Sequence, residues 1–236
     1  MKKITTTLLL ALRCGTSALA IPRLKAGDRI VTLGDSITQA GGYQALMQKV
    51  LARFYPDFGI EIVNAGISGH KAPDMAARLQ RDVIDKKPTI VTVSCGVNDV
   101  WYGFYTQPRG VDIETYTHHL MTQMVQQLKA TTSAAIYLLT PTVIHENLRG
   151  PENLKMEAYC YAIREITRRE NVQLVDLNAV FSLVLRSTQI GGAPEFHPTT
   201  DCVHMEPAGN FLIAAAILQA LAGSGVVSFL ANRSAR

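Results

Sequence analysis

The stretch RIVTLGDSITQAGGY, residues 29–43, combines two structural patterns. Its first part, RIVTL, is an apolar run rich in β-branched residues, as is typical of a buried strand. Gly34, Asp35 and Ser36 follow at the point where the next helix is expected to begin. Serine is a favoured residue at a helix start, because its hydroxyl can accept a hydrogen bond from a free backbone N–H. The stretch therefore predicts a strand, a tight turn and a helix, with a serine at their junction.

The same alternation of strand and helix continues along the chain. Runs such as IVTVSC, residues 90–95, are apolar on both faces, which is expected when helices cover both sides of a parallel sheet. Amphipathic helical spacing separates the runs, as in Leu46, Met47, Val50, Leu51 and Phe54. The pattern predicts an α/β fold. The five predicted strands are Arg29–Leu33, Ile60–Asn64, Thr89–Ser94, Ala135–Thr140 and Val172–Val175.

The length of 236 residues suits one globular domain with a single core. Residues 1–20 begin with two lysines, continue with a short apolar stretch and end in Ala18-Leu19-Ala20, which is the layout of a cleavable secretory signal. The apolar stretch has about half of the ~20 residues that a membrane-spanning helix needs. We therefore expect a signal peptide at 1–20, one domain at 21–222, a tail at 223–236 and a secreted or periplasmic protein without a stable membrane span.

Charge and cysteine content exclude several other classes. Loss of residues 1–20 would remove three basic residues and no acidic one, so the formal net charge would fall from +4 to +1. A near-neutral chain argues against nucleic acid as a partner. Cys95, Cys160 and Cys202 would remain at spacings unlike those of a zinc site, and at most one disulfide could join them. The sequence thus predicts neither a metal nor a cofactor, and it leaves the oligomeric state open.

Four polar loops are expected at one edge of the sheet, because ligands bind outside the carboxyl ends of parallel strands, where the loops converge. The first loop carries Gly34-Asp35-Ser36. NAGISG, residues 64–69, follows the second strand, and CGVND, residues 95–99, follows the third. TDCVHMEPAG, residues 200–209, precedes the last helix.

Together these loops hold the groups needed for nucleophilic acyl transfer. A serine hydroxyl becomes an effective nucleophile when an imidazole accepts its proton, and a carboxylate then orients that imidazole. Ser36, His204 and Asp201 supply these three groups. The backbone amides of Ser36 and Gly66 and the side-chain amide of Asn98 would bind the developing oxyanion.

The chain resembles the SGNH hydrolases, also called GDSL esterases or lipases, over most of residues 21–236. The residues that name this family are matched in order by Ser36 in GDSI, Gly66 in NAGISG, Asn98 in GVND and His204 in DCVH, although Ile37 stands where the family often has leucine. The resemblance implies a flavodoxin-like, three-layer α/β/α sandwich with a five-stranded parallel sheet. It also implies a serine esterase without a cofactor.

The sequence is less informative about the substrate. Members of this family include carbohydrate deacetylases, lysophospholipases, thioesterases and arylesterases. We expect a small-molecule or glycan ester, with short acetyl esters of carbohydrates favoured over lipid esters. A non-catalytic glycan- or lipid-binding module on the same fold, and acyl transfer to an alcohol, are the alternatives.

Each site residue also has a purely structural interpretation. Ser36 could only cap the following helix. Ser68 also follows a strand, but we expect it to stabilise a turn. Asp35 is expected to bind backbone amides, and Asp99 is expected to be structural.

An aromatic stretch, WYGFYTQPRG at residues 101–110, directly follows the asparagine loop. We expect it to form a loop at the edge of the active site. Trp101 and Tyr102 are candidate substrate-binding residues, since their rings could support a sugar or an acyl chain. Core packing is the alternative for both.

Overall fold

The computed structural model describes residues 24–106, 110–190 and 197–223. Its strands form one parallel sheet, as the sequence predicts, and each strand lies within two residues of its predicted bounds. The spatial order is β2-β1-β3-β4-β5, which is the flavodoxin-like order. The strands are β1 Arg29–Gly34, β2 Glu61–Gly66, β3 Ile90–Ser94, β4 Ala135–Leu139 and β5 Gln173–Val175.

Helices connect the strands and cover the sheet. A π-helical stretch, His119–Gln126, joins α6 to α7, and single 3-10 turns lie at Pro56–Phe58 and Ile84–Lys86. The α-helices are α1 Ser36–Gln39, α2 Gly42–Phe54, α3 Ala72–Ala77, α4 Leu79–Asp82, α5 Val97–Tyr105, α6 Ile113–His118, α7 Gln127–Thr131, α8 Pro151–Glu170, α9 Leu177–Ile190 and α10 Pro207–Ala222.

The packing of these helices produces three layers. Helices α2, α9 and α10 pack together on one side of the sheet, while α3, α6, α8 and the π-helical stretch pack on the other. The central strands β1, β3 and β4 are almost wholly buried between them. Helix α10 begins at Pro207, which suits a first helical position, and most of its residues are apolar and buried. The predicted α/β/α sandwich is therefore confirmed.

The strand order determines where a ligand can bind. β1 pairs with β2 on one side and with β3 on the other, so the loops after these three strands diverge around a crevice. Gly34 pairs with Gly66 at the carboxyl ends of β1 and β2. The sheet thus brings the serine, glycine and asparagine loops to one edge.

The aromatic stretch after Asn98 is the main error in the predicted elements. Residues 101–105 form the last turns of α5, not a loop. The expected loop was wrong because a helix begins at Val97, includes Asn98 and Asp99 in its first turn, and continues to Tyr105.

Some predictions lie outside the described residues. They are the signal peptide at 1–20, residues 224–236 of the tail and residues 107–109 of the aromatic stretch. Within the described part of the chain, no helix is long and apolar enough to cross a membrane. Cys95, Cys160 and Cys202 are all free thiols.

Candidate active site

A chain of hydrogen bonds joins three of the predicted site residues. His204 Nε2 lies 2.8 Å from the Ser36 hydroxyl oxygen, and His204 Nδ1 lies 2.7 Å from Asp201 Oδ2. Ser36 and His204 are 168 positions apart in sequence, so only the fold brings them together. With Nδ1 protonated towards Asp201, Nε2 is free to accept the Ser36 proton.

Asp35 explains why the Ser36 hydroxyl is available. Helix α1 begins at Ser36, and its N-cap is Asp35, whose Oδ1 accepts a 3.0 Å hydrogen bond from the Ile37 N–H. The capping role considered for Ser36 is therefore filled by the preceding residue, as expected for Asp35. Burial raises the pKa of Asp35 to about 6, although the Ile37 N–H and nearby His204 act in the opposite direction.

The loop that carries Asp201 and His204 is held by local hydrogen bonds. Asp201 Oδ1 accepts the N–H groups of Val203 and His204 at 3.2 and 2.8 Å. Partial burial alone would raise the pKa of Asp201, but the hydrogen bonds from His204 and Val203 outweigh it and keep the pKa below 3.8. Asp201 is thus ionised at neutral pH, as an imidazole-orienting carboxylate must be.

The site is open to solvent. The side chains of His204 and Asp201 are 46% and 57% exposed. An ester can therefore approach the Ser36–His204 pair from solution, and the charge of Asp201 is partly screened by water.

Asn98 lies in the first turn of α5 and is buried. Its Nδ2 donates to the backbone oxygen of His70 at 3.1 Å, which fixes the orientation of the side-chain amide. An amide nitrogen carries two hydrogens, so one remains for another acceptor. This geometry is compatible with the predicted oxyanion role.

Gly66 lies at the end of β2, where a side chain would not fit. A Cβ there would come within 2.2 Å of the Gln39 backbone nitrogen. Its N–H already donates to Asn64 Oδ1 at 2.8 Å, and Asn64 Nδ2 in turn donates to the Thr38 carbonyl. The N–H of Gly69, in the same loop, makes no hydrogen bond to any described residue. The two glycines of this loop are thus in different hydrogen-bonding states.

Ser68, the other serine that follows a strand, and Tyr102 lie in or beside the loop after β2. Ser68 is exposed in a turn, and its N–H donates to Gln39 Oε1 at 2.8 Å. Tyr102 is half-buried beside Gly69, and the Lys71 ammonium lies 5.1 Å from the centre of its ring. In the described part of the chain, none of these residues is hydrogen-bonded to the side chain of Ser36 or His204.

Trp101 belongs to an aromatic cluster that the sequence did not predict as a unit. Its ring is half-buried and lies 4.2 Å from that of Tyr105 and 6.1 Å from that of His145. The Tyr105 hydroxyl contacts His145 Nε2 and donates to Glu152. The backbone N–H of His145 donates to the backbone carbonyl of Cys202 at 2.8 Å. The cluster therefore adjoins the loop that carries Asp201 and His204.

Asp99 is structural in its contacts, as expected, but its carboxyl group is unusual. It is fully buried, Oδ1 accepts the Ala72 N–H at 3.0 Å, and Oδ2 has no partner. Burial raises the pKa of Asp99 to about 7 from an ordinary value of 3.8, which the Ala72 hydrogen bond only partly offsets. Between about pH 4 and pH 7 the folded protein therefore keeps a proton that the unfolded chain has already released.

This difference predicts how Asp99→Asn changes stability with pH. The native state binds the extra proton, so the wild type loses stability as pH rises through this range, whereas the asparagine variant does not. We expect the free energy of unfolding of Asp99→Asn, relative to the wild type, to increase by on the order of 4 kcal/mol between pH 4 and pH 8. Urea unfolding of both proteins at several pH values measures it.

Asp112→Asn is the control for this pH series. Asp112 caps α6, and hydrogen bonds from the backbone and hydroxyl of Thr115 lower its pKa. Its substitution should produce a pH dependence of opposite sign. A stability difference for Asp99→Asn that does not vary with pH would contradict the assignment of a buried, neutral carboxyl.

Several residues around the site were not found from the sequence. They are Asn64, whose side chain accepts the Gly66 N–H, Arg78, whose side chain binds the Ala65 carbonyl and the His70 ring, and His70, whose carbonyl accepts from Asn98. A single asparagine, histidine or arginine in such a region has no distinctive spacing, so only the structure identifies them. No group of three or more histidine, cysteine, aspartate or glutamate residues in the described ranges is arranged to hold a metal ion.

Comparison with known proteins agrees with the fold and identifies the family. The model of the GDSL-like lipase/acylhydrolase family matches residues 32–210. Acetylxylan esterase from Geobacillus stearothermophilus is 30% identical over 218 residues, which cover 84% of this chain and 95% of that protein.

Solved structures give the same result. The crystal structure of Axe2, an acetylxylan esterase from Geobacillus stearothermophilus, has a TM-score of 0.74 at 30% identity and covers 84% of this chain and 95% of its own. LAE5, an alpha/beta hydrolase enzyme from the metagenome of Lake Arreo, Spain, has a TM-score of 0.75 at 32% identity, with 86% and 98% covered. Three similar structures are catalytic mutants of Axe2 in which an aspartate, a serine or a histidine is replaced by alanine. The chain therefore belongs to the GDSL-like lipase/acylhydrolase family and is a carboxylic ester hydrolase of the SGNH type.

Proposed function

We propose that this protein is a serine esterase that removes acetyl groups from carbohydrates. The observation that carries the proposal is the hydrogen-bonded chain from Ser36 through His204 to Asp201 at the carboxyl edge of the sheet. The similarity to acetylxylan esterase over most of both chains supports an acetyl ester of a carbohydrate as the substrate.

The reaction follows from the order of these contacts. The Ser36 oxygen attacks the ester carbonyl while His204 Nε2 accepts its proton, and Asp201 stabilises the charged imidazole. His204 then donates the proton to the departing sugar oxygen, which leaves an acetyl group on Ser36. Water attacks this acyl-enzyme with His204 again as base, which releases acetate and restores the Ser36 hydroxyl.

The oxyanion of each tetrahedral intermediate needs fixed hydrogen-bond donors. The backbone N–H of Ser36 is at the start of α1, where helix N–H groups are unpaired, and the second hydrogen of Asn98 Nδ2 is the side-chain candidate. Gly66 is the glycine predicted from the sequence, but its N–H must leave Asn64 Oδ1 before it can bind the oxyanion. The unpaired Gly69 N–H avoids that cost, so we propose it as the donor from this loop.

Trp101 and Tyr102 remain candidate substrate-binding residues at the rim. Their half-buried rings line two sides of α5, with Tyr102 beside Gly69 and Trp101 beside His145. The neighbouring ring of Tyr105 is 45% exposed and extends the aromatic surface into solvent. Flat exposed rings of this kind suit the apolar face of a sugar.

Secretion is a separate proposal that rests on the sequence alone. The basic start, the short apolar stretch and the Ala18-Leu19-Ala20 ending support a cleaved signal and a secreted or periplasmic enzyme. The N-terminal sequence of the protein recovered from the culture medium or periplasm would test this proposal.

Acyl length is the property that tests the proposed substrate. Because His204 and Asp201 are about half exposed, we expect the acyl group to bind at an open surface that gives a long chain few additional contacts. Purified enzyme should hydrolyse acetyl esters with a kcat/KM about tenfold or more above that for octanoyl esters. Acetylated xylo-oligosaccharides, octanoyl esters and lysophospholipids form the test panel. A preference for octanoyl esters or lysophospholipids would favour a lipid esterase instead.

A further inference from the structure

Arg78 lies directly behind the active-site loops, in the link between α3 and α4. Its side chain is only 5% exposed. The guanidinium donates to the backbone oxygens of Gly34 and Ala65 at 2.9 and 2.8 Å. Its remaining hydrogen bonds reach His70 Nδ1 at 3.0 Å and Asp82 Oδ2 at 3.1 Å. One buried cation therefore joins the ends of β1 and β2 to the loop that follows β2.

Three of these acceptors belong to the segments that carry the proposed oxyanion donors. Gly34 is two residues before Ser36. Ala65 and His70 are at the two ends of the loop that contains Gly66 and Gly69, so Arg78 holds both ends. The His70 carbonyl is also the acceptor of Asn98 Nδ2.

The electrostatics of the contact with His70 are consistent with this arrangement. His70 Nδ1 accepts from the Arg78 Nε–H, which requires an unprotonated Nδ1. Burial and the positive charge of Arg78 both lower the pKa of His70. The lowered pKa favours the neutral form of His70, which carries its proton on Nε2 and keeps this contact.

We propose that Arg78 is a positioning residue for the oxyanion hole, a proposal that rests on the esterase function proposed above. Its planar guanidinium fixes the distance between the loop that carries Ser36 and the loop that carries Gly66 and Gly69. Through His70, it also fixes the side-chain amide of Asn98. Hydrogen bonding to the Ala65 and Gly34 carbonyls also polarises the peptide groups that lead into these loops. The guanidinium thereby preorganises donors from three separate strand ends, which is the condition for stabilising a transition state.

A purely structural role is the alternative, because removal of one partner from a buried ion pair such as Arg78–Asp82 destabilises a fold. The two roles differ in what they change. Loss of stability lowers the amount of folded enzyme, whereas misplaced oxyanion donors lower kcat for each folded molecule and leave KM nearly unchanged.

The experiment compares Arg78→Met and Arg78→Lys with the wild type and with Arg81→Met. Arg81 is the matched control, since it also binds Asp82 but its side chain is 72% exposed. Kinetics with 4-nitrophenyl acetate give kcat and KM, and thermal unfolding gives the folded fraction at the assay temperature. The inhibition constant of a small alkyl boronic acid, which forms a tetrahedral adduct with a serine, reports the oxyanion hole itself.

We expect Arg78→Met to lower kcat about 10- to 100-fold with little change in KM. Arg78→Lys should lower it less, because one ammonium keeps the charge but cannot donate to both carbonyls in the same plane. The boronic acid should bind more weakly by the factor that kcat/KM falls, and Arg81→Met should match the wild type.

Unchanged kcat and unchanged boronic acid affinity in folded Arg78→Lys and Arg78→Met would overturn the proposal and leave a structural role. If Arg78→Met does not fold, Arg78→Lys decides the question by the same two measurements. A wild-type enzyme that hydrolyses no ester would instead refute the proposed function.

Discussion

Ser36→Ala is expected to lower kcat by about 10⁶-fold and to abolish labelling by a fluorophosphonate probe. The substitution removes the oxygen that lies 2.8 Å from His204 Nε2 and that would form the acyl-enzyme. Stability should hardly change, since Asp35, and not Ser36, caps α1. Kinetics, gel-based labelling and thermal unfolding of the same preparation therefore separate lost chemistry from lost folding.

Ser68→Ala is the matched control. Ser68 also follows a strand, but it is exposed in a turn and makes no hydrogen bond to His204 in the described part of the chain. Its variant should retain wild-type labelling and kcat. Labelling that persists in Ser36→Ala but disappears in Ser68→Ala would overturn the assignment of the nucleophile.

The sequence was sufficient to predict the sheet because its signal is local and strong. Runs such as residues 29–33 and 90–94 are apolar on both faces, and parallel strands with helices on both sides require this pattern. The four polar loops were predictable for the same reason, since each directly follows a strand or precedes a helix. The distance between Ser36 and His204 follows from the fold once those loops share an edge.

Side-chain partnerships were much harder to predict. Asp35 and Ser36 are adjacent in sequence, and both residue types can cap a helix. Which of them caps α1 depends on which one has the non-helical backbone dihedral angles of an N-cap. The Gly66 N–H is taken up by Asn64, which precedes it by only two positions, yet the sequence pattern does not distinguish Gly66 from Gly69. Arg78 donates to backbone carbonyls, which every residue has. The sequence therefore contains no residue type from which these partners of Arg78 could be predicted.

The aromatic stretch shows a different limit. Trp101 and Tyr102 were expected on a loop, but the helix that begins at Val97 extends to Tyr105. Successive side chains on a helix point about 100° apart, so two adjacent rings pack against different neighbouring residues. Trp101 therefore packs near His145, whereas Tyr102 packs near Gly69.

Asp201→Asn should reduce kcat by about 10⁴-fold at neutral pH while leaving the fold intact. An asparagine oxygen can still accept the N–H groups of Val203 and His204 that hold the loop. Its Nδ2, however, would replace the Oδ2 that now faces His204 Nδ1, and an NH₂ group cannot accept the Nδ1 proton. The imidazole then favours the tautomer with its proton on Nε2, which cannot accept the proton of Ser36.

The exposure of the site indicates which contribution of Asp201 matters more. Because the carboxylate is 57% exposed, water screens its attraction for the charged imidazole, and a purely Coulombic role would be worth on the order of 1 kcal/mol, or less than about tenfold in rate. Control of the tautomer does not depend on that screening. A large loss in Asp201→Asn, set against an unchanged Asp112→Asn, would support the tautomer as the main role. A loss of only a few-fold would assign Asp201 to electrostatic support and leave the orientation of His204 to the backbone of its own loop.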